Sequence, residues 1–296
     1  MNLHVPEPRD VPPLLTRLVD DAVLVTSPRA SMADAVRTHL TAHDKAYAGM
    51  VGCLLCPTSR IGELVTQLRA HPPARPVALS LVANTGLGGL PKAISLALDN
   101  DKLVDVRMVE VSAPSDVDSN WLVALSEFVP DDVVRVVEPR RGRPDWLDGV
   151  RRVAEAGCWP KLRCGGVAAE SFPSVDEVAE FLAITTSTGR SFKATAGLHH
   201  SVRQHDEATG LTHHGLLNML VGTARVGSGA SVHEALHCTD AHALAAEVGT
   251  WSEAAARAVR EVFAGYESVS LKAPVVDLIR LGLLPEPDLH PRASPG

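Results

Sequence analysis

The sequence lacks the marks of several broad functional classes. It has no basic excess, since 28 Lys and Arg stand against 35 Asp and Glu for a formal charge of −7. Nucleic-acid and membrane-surface binders usually show the opposite balance. No apolar run approaches the roughly 18 residues of a membrane span. The opening MNLHVPEPRDVPPLL has neither the basic cluster nor the apolar stretch of a secretory signal. No GxGxxG follows the first β-prone run, so the dinucleotide fingerprint is missing. Of five cysteines, Cys158, Cys164 and Cys238 have no zinc-like spacing. Cys53 and Cys56 form a CxxC inside the apolar run VGCLLCP, where thiols read as core packing and not as an activated redox pair. These absences lead us to expect a cytoplasmic protein with neither a membrane nor a nucleic-acid partner.

What the chain does have is a repeat. Apolar, β-prone runs begin near Ala22, Val51, Val77, Val104, Val133, Pro160 and Ser191, at intervals of 26 to 31 residues. Helical patterns fill the gaps, among them SMADAVRTHLTAH and VDEVAEFLAITTSTG. One strand, one helix and two loops need about this much chain, and strict alternation implies a parallel sheet. A late run, SVSLKAP (268–274), followed by VVDLIRLGLL, supplies an eighth unit. We therefore expect an α/β fold, a (β/α)8 barrel of the TIM type forming one domain over 1–296. The connection 201–265 is then enlarged, with helices expected at 215–225, 232–248 and 252–264. Residues 1–20 read as an N-terminal arm and 285–296 as a flexible tail.

In such a barrel the chemistry sits at the C-terminal ends of the strands. The polar residues late in the runs are Asn84, Glu110, Glu138, Lys161, Arg163 and Lys193, with His199 and His200 following. Strand alternation puts Lys161, Arg163 and Gly165 on one face, and Lys193, Thr195 and Gly197 likewise oppose Phe192, Ala194 and Ala196. The apolar set packs on the helices and the polar set enters the lumen. Unpaired buried charges cost several kcal/mol each, so this many charges on four strands point to a functional site. Arg140, Arg141, Arg143 and Arg203 add positive charge near the same end, and Arg grips carboxylate or phosphate with two hydrogen bonds. A small anionic metabolite is the expected ligand, contacted by Arg163, Arg140, Arg203 and Asn84. Gly165 and Gly166 would let it approach the backbone. His214 and Asn218, on one face of a helix start, would also contact it.

The strings KLRCGG, FKATAGLHH and DLIRLGLL resemble those of an uncharacterised bacterial protein family, a likeness that covers most of the chain and implies no activity. Locally, FKATAG is similar to the Lys-Thr-Ser-Thr-Gly strand of class I aldolases of the deoxyribose-phosphate aldolase type. In that family one strand-end lysine forms a Schiff base and a lysine on the neighbouring strand depresses its pKa. The resemblance implies a lysine-dependent lyase with Lys193 as nucleophile and Lys161 as its partner. Glu138 or Glu110 would be the general acid/base and Arg163 the anion clamp. His199 and His200 would hydrogen-bond substrate or move protons. The motif falls on the seventh strand here and on the sixth in the aldolases, and Arg163 and the paired histidines have no counterpart there.

Two other readings stay open. One is a metal-assisted enzyme holding a divalent ion through Glu110, Glu138 and histidines of the His-rich segment, which also contains His205, His213 and Asp206. The other is a non-catalytic barrel that binds an anionic metabolite. The first reading needs no cofactor, and each allows a homo-oligomer. The lysine reading carries one physical condition: Lys193 must lie nearer to cations than to carboxylates if its amine is to be neutral near pH 7.

Overall fold

A parallel sheet exposes an apolar face to its crossover helices, and closing it removes both edges. A computed structural model, describing residues 11–27, 29–115 and 117–285, shows that closure. The strands are β1 (Val19–Asp21), β2 (Val51–Pro57), β3 (Val77–Val82), β4 (Val104–Ser112), β5 (Val134–Glu138), β6 (Trp159–Arg163), β7 (Phe192–Thr195) and β10 (Phe263–Ser268). They form one closed barrel in the order β1-β10-β7-β6-β5-β4-β3-β2, every pair parallel. The protein is an α/β barrel of the (β/α)8 type.

The crossover helices are α2 (Met32–Ala42), α3 (Ile61–Ala70), α4 (Leu90–Leu98), α5 (Ser119–Phe128), α6 (Trp146–Glu155) and α7 (Val175–Ser187). Short polar side chains start several of them. Ser31, Asp118 and Ser174 each accept a backbone N–H of the first turn, and Ser174 and Glu177 form a capping box. Each helix lays an apolar stripe on the outer face of the sheet. Around β7, Phe192 stacks on Phe263 at 4.8 Å between ring centroids and meets Phe181 of α7 edge-on at 5.3 Å. This is the apolar half of the alternation read from SFKATA.

The enlarged connection runs through a small ribbon, β8 (Gln204–Asp206) with β9 (Leu211–His213), and then helices α8 (Leu216–Arg225), α9 (Val232–His237), α10 (Ala241–Gly249) and α11 (Glu253–Val262). The helix expected at 232–248 is two helices. The chain breaks after His237, and Asp240 caps α10 by accepting from His242 and Ala243.

Two strand positions differ from expectation, both at the closure of the barrel. The first strand is Val19–Asp21, straddling the end of the expected arm. The AVLV run enters α1 (Val23–Thr26), a single helical turn. The eighth strand is Phe263–Ser268, ending where SVSLKAP begins, and α12 (Lys272–Arg280) follows. The first ten residues of the expected arm and residues 286–296 of the expected tail lie outside the described residues. Among the described residues no helix is long and apolar enough to cross a membrane.

Candidate active site

Strand pairing puts two lysines side by side. Lys161 of β6 and Lys193 of β7 are register partners, as are Arg163 and Thr195 two residues on. With a period of two, all four point to the lumen. Lys161 and Lys193 are buried, and carboxylates surround them. Glu110 of β4 takes Lys193 on Oε1 at 2.5 Å and Lys161 on Oε2 at 2.7 Å. Its Oε1 also accepts from the Ser80 hydroxyl of β3 at 2.6 Å. Asp20 of β1 pairs with Lys193 at 2.6 Å and takes the Cys53 backbone N–H on its other oxygen at 2.6 Å. Glu267 of β10 lies in close contact with Lys161, stands 4.0 Å from Lys193, and accepts from the Thr195 hydroxyl at 2.6 Å.

The charges set each other's protonation. Burial opposes the Lys193 ammonium, but Asp20 and Glu110 more than compensate, and its pKa rises well above the ordinary value. Lys161 behaves alike, burial being outweighed by Glu110 and Glu267, and its pKa also rises. Burial would raise the Glu110 carboxyl, but the two lysines hold it well below its usual range. Glu267 goes the other way. Burial and the Glu110 charge push it up to about 7, against the pull of Lys161 and Lys193. With Glu267 ionised the cluster holds three carboxylates against two ammoniums, and with Glu267 protonated it is neutral.

This corrects the condition placed on Lys193. Its partners are Asp20 and Glu110, so its ammonium is stabilised. Two of the five charged residues, Asp20 and Glu267, were not among the expected site residues.

Nearer the rim stands a second pair. Arg163 donates to both oxygens of Glu138, at 2.6 and 3.1 Å. The two expected roles, general acid/base for Glu138 and anion clamp for Arg163, are thus spent on one another here. Other expected ligand contacts are engaged elsewhere. Arg141 donates to Glu177 and to the Glu170 carbonyl, and Arg143 to Asp145. Arg140 is exposed and lies with Arg143, Asp145 and Trp146 around a shallow recess beside α6. Asn84 accepts from the Thr58 hydroxyl and the Ser59 backbone and donates to the Ser59 hydroxyl, tying two loops together.

His214 and Asn218 are structural. His214 is buried between the Pro173 carbonyl on Nε2 at 2.8 Å and the Arg203 guanidinium on Nδ1 at 3.3 Å. That arrangement requires a neutral ring, and burial pushes its pKa down to about 4. Asn218 accepts from the Arg203 backbone and donates to the carbonyls of Ala235 and Cys238, each at 2.7 Å. None of these polar groups is left for a ligand, because the long connection uses them to hold its own shape.

The glycines serve the same end. A Cβ on Gly165 would lie 2.7 Å from the Gly197 Cα, and one on Gly197 would lie 2.3 Å from the Cys164 carbonyl oxygen. Gly166 faces Ser171 in the same way, at 2.6 Å. Gly165 and Gly197 thus allow the loops after β6 and β7 to approach closely, and Gly166 lets the loop after β6 fold on itself. His199 and His200 are exposed. His199 neighbours the His213 ring at 5.8 Å, and His200 lies 3.7 Å from Asp277. Among the described residues no group of three or more His, Cys, Asp or Glu is placed to hold a metal ion.

Two carboxylates, two ammoniums and a fifth group able to change protonation near neutral pH, gathered inside the barrel lumen beneath the Arg163–Glu138 pair, can bind a carbonyl compound and move protons to and from it. No protein-family model matches the chain, and no curated protein matches it either.

Proposed function

We propose that the protein is a lysine-dependent lyase that acts on a small carbonyl compound through an imine. The observation that carries this reading is the Lys161–Lys193 pair, adjacent in register, facing the lumen and joined by one carboxylate. The same pairing is what the resemblance to class I aldolases implies. Its roles are exchanged here. Lys193 is 1% exposed and locked by Asp20 and Glu110, whereas the Lys161 side chain is 8% exposed. Lys161 is therefore the amine that adds to the carbonyl carbon, and Lys193 is the neighbouring cation.

The chemistry balances without an oxidant. The Lys161 ammonium gives its proton to a neighbouring carboxylate and adds as the amine to the carbonyl, and the proton returns to the hydroxyl that leaves as water, so that an iminium forms. The carbon–carbon bond one atom further breaks as its electrons move into the iminium, and the hydroxyl on the departing carbon gives up its proton. An aldehyde departs, the enamine takes a proton on carbon, and water returns the amine. An anionic group on the substrate would be read by Arg163, in exchange for Glu138.

Glycolaldehyde, hydroxyacetone and pyruvate, each incubated with the protein and cyanoborohydride, test the reading. A reduced adduct mapped by mass spectrometry to Lys161, and lost in Lys161→Met, supports it. An adduct on Lys193 alone restores the original assignment. If none of the probes labels either lysine, the imine reading fails and a binding barrel remains.

A further inference from the structure

We propose that Glu267 is a catalytic acid/base of this site, taking the proton from Lys161 before imine formation and returning it to the hydroxyl that leaves as water. The inference rests on the lyase reading and assigns a residue that neither the sequence patterns nor the aldolase likeness indicated.

Lys161 touches two carboxylates, and only one of them can accept its proton. Glu110 carries a lysine on each oxygen and the Ser80 hydroxyl as well. Protonating it would strip both ammoniums of their shared partner. Glu267 accepts from the Thr195 hydroxyl on Oε2 and also meets the Glu110 carboxylate at hydrogen-bonding range. Its Oε1 lies against the Lys161 ammonium but not along a hydrogen-bond direction, so it is buried with a lone pair unspent. That oxygen is the open acceptor within reach of the reacting nitrogen.

The groups facing Glu267 come from every neighbouring strand. They are Asp20 on β1, its register partner, Glu110 on β4, Lys161 and Arg163 on β6, and Lys193 and Thr195 on β7. Glu110 favours its protonated form, and Lys161 and Lys193 its charged form. Their balance with burial sets it to about 7, where a group serves equally well as acid and base.

The step conserves charge. Lys161 ammonium and Glu267 carboxylate become amine and carboxylic acid. The amine adds to the carbonyl and the nitrogen proton passes to oxygen, giving a neutral carbinolamine. Glu267 protonates its hydroxyl, water departs, and iminium and carboxylate remain.

The experiment is the pH dependence of the cyanoborohydride-trapped adduct on Lys161, using hydroxyacetone. In the wild type the rate rises with pH through an inflection near 7. Glu267→Gln should slow trapping by roughly 100-fold or more and remove the inflection. Glu267→Asp should recover part of both. Thr195→Val withdraws a donor from the carboxylate and should move the inflection to higher pH without touching Lys161. This second variant carries the test if Glu267→Gln does not fold. Wild-type rate and profile in Glu267→Gln, or an unmoved inflection in Thr195→Val, overturns the role of Glu267 and leaves the lyase reading standing. Absence of adduct in the wild type removes the reading itself.

Discussion

Lys161 and Lys193 sit opposite one another on adjacent strands and bind the two oxygens of a single carboxylate, Glu110. Neither ammonium would be tolerable in the lumen alone. Their shared partner makes the pair a property of the fold as much as of the site.

Glu110→Gln should therefore cost stability before anything else. Removing one member of a buried ion network typically costs about 3–5 kcal/mol, even though Asp20 and Glu267 still face the two lysines. Denaturant unfolding at pH 7 should show a loss of that order.

Glu267 gives stability a pH signature. Its folded pKa of about 7 lies above the ordinary 4.5. The folded state therefore holds a proton that the unfolded chain has already released. Its contribution is fully present below pH 4.5, declines as pH rises to 7, and is constant above that. The shift corresponds to about 3 kcal/mol. Relative to Glu267→Gln, the wild type should lose stability across that window and run parallel to it at higher pH. A constant difference from pH 4.5 to 8 would rule this out.

The thiols should divide four to one. Cys53, Cys56, Cys158 and Cys164 are buried. Burial pushes Cys56 and Cys164 up to about 12 and raises the other two as well. Cys238 is half-buried. An aromatic disulfide reagent at pH 8 should titrate one thiol in the native protein and five in denaturant. A rapid reaction at Cys53 or Cys56 would contradict the core placement of the CxxC.

Two adjacent residues after β7 should respond oppositely to substitution. Ala196 has φ +57°, and Gly197 has φ +74° with no room for a Cβ. A left-handed alanine costs about 1–2 kcal/mol, partly offset by the chain entropy a glycine would bring. Ala196→Gly should raise stability by up to about 1 kcal/mol. Gly197→Ala should lower it by more than about 2 kcal/mol, through strain and the clash with Cys164. Thermal unfolding of the two variants checks the signs.

The anion expectation has a direct check in Glu138→Gln. Losing the ionised partner frees Arg163 for a substrate carboxylate. Trapping with pyruvate should then saturate at lower concentration, while trapping with neutral hydroxyacetone should not change. Equal effects on both would remove Arg163 from substrate recognition.

The barrel was legible in the sequence because six of its strands sit in regular units with clean apolar patterns. Lys161, Lys193 and Glu110 were legible because alternation forces polar residues in those strands inward. What escaped lies at the seam. The run LVDDAVLV carries two aspartates ahead of its longer apolar stretch, and its strand is three residues before a helical turn. Local pattern places the strand at AVLV and leaves Asp20 outside it. At the other edge the apolar register passes from α11 into β10 without a break, Phe263 being both the end of one and the start of the other. The expected helix, 252–264, took in the first two residues of this strand, and Glu267 fell between it and the strand expected from Ser268. Both boundaries are settled by pairing between residues nearly 250 positions apart, Val19 with Tyr266, and periodicity carries no information about such partners. His214 and Asn218 bond to the chain's own backbone, which their spacing does not announce. Polar residues near a site look alike in sequence whether they serve a ligand or the chain's own backbone.

The seam also fixes the order in which the site can come into being. Asp20 is among the first strand residues to leave the ribosome and Glu267 among the last, and Lys193 meets Asp20 in β1, which lies between β10 and β2. A nascent chain ending short of residue 263 has no β10 for β1 to pair with on that side. Its Lys193 then lacks the strand that brings Asp20 into place. Long-range closure of this kind is slow. The lysine pair therefore becomes fully neutralised only once β10 has been made, and chains truncated before residue 263 should carry exposed charge where the closed barrel carries none.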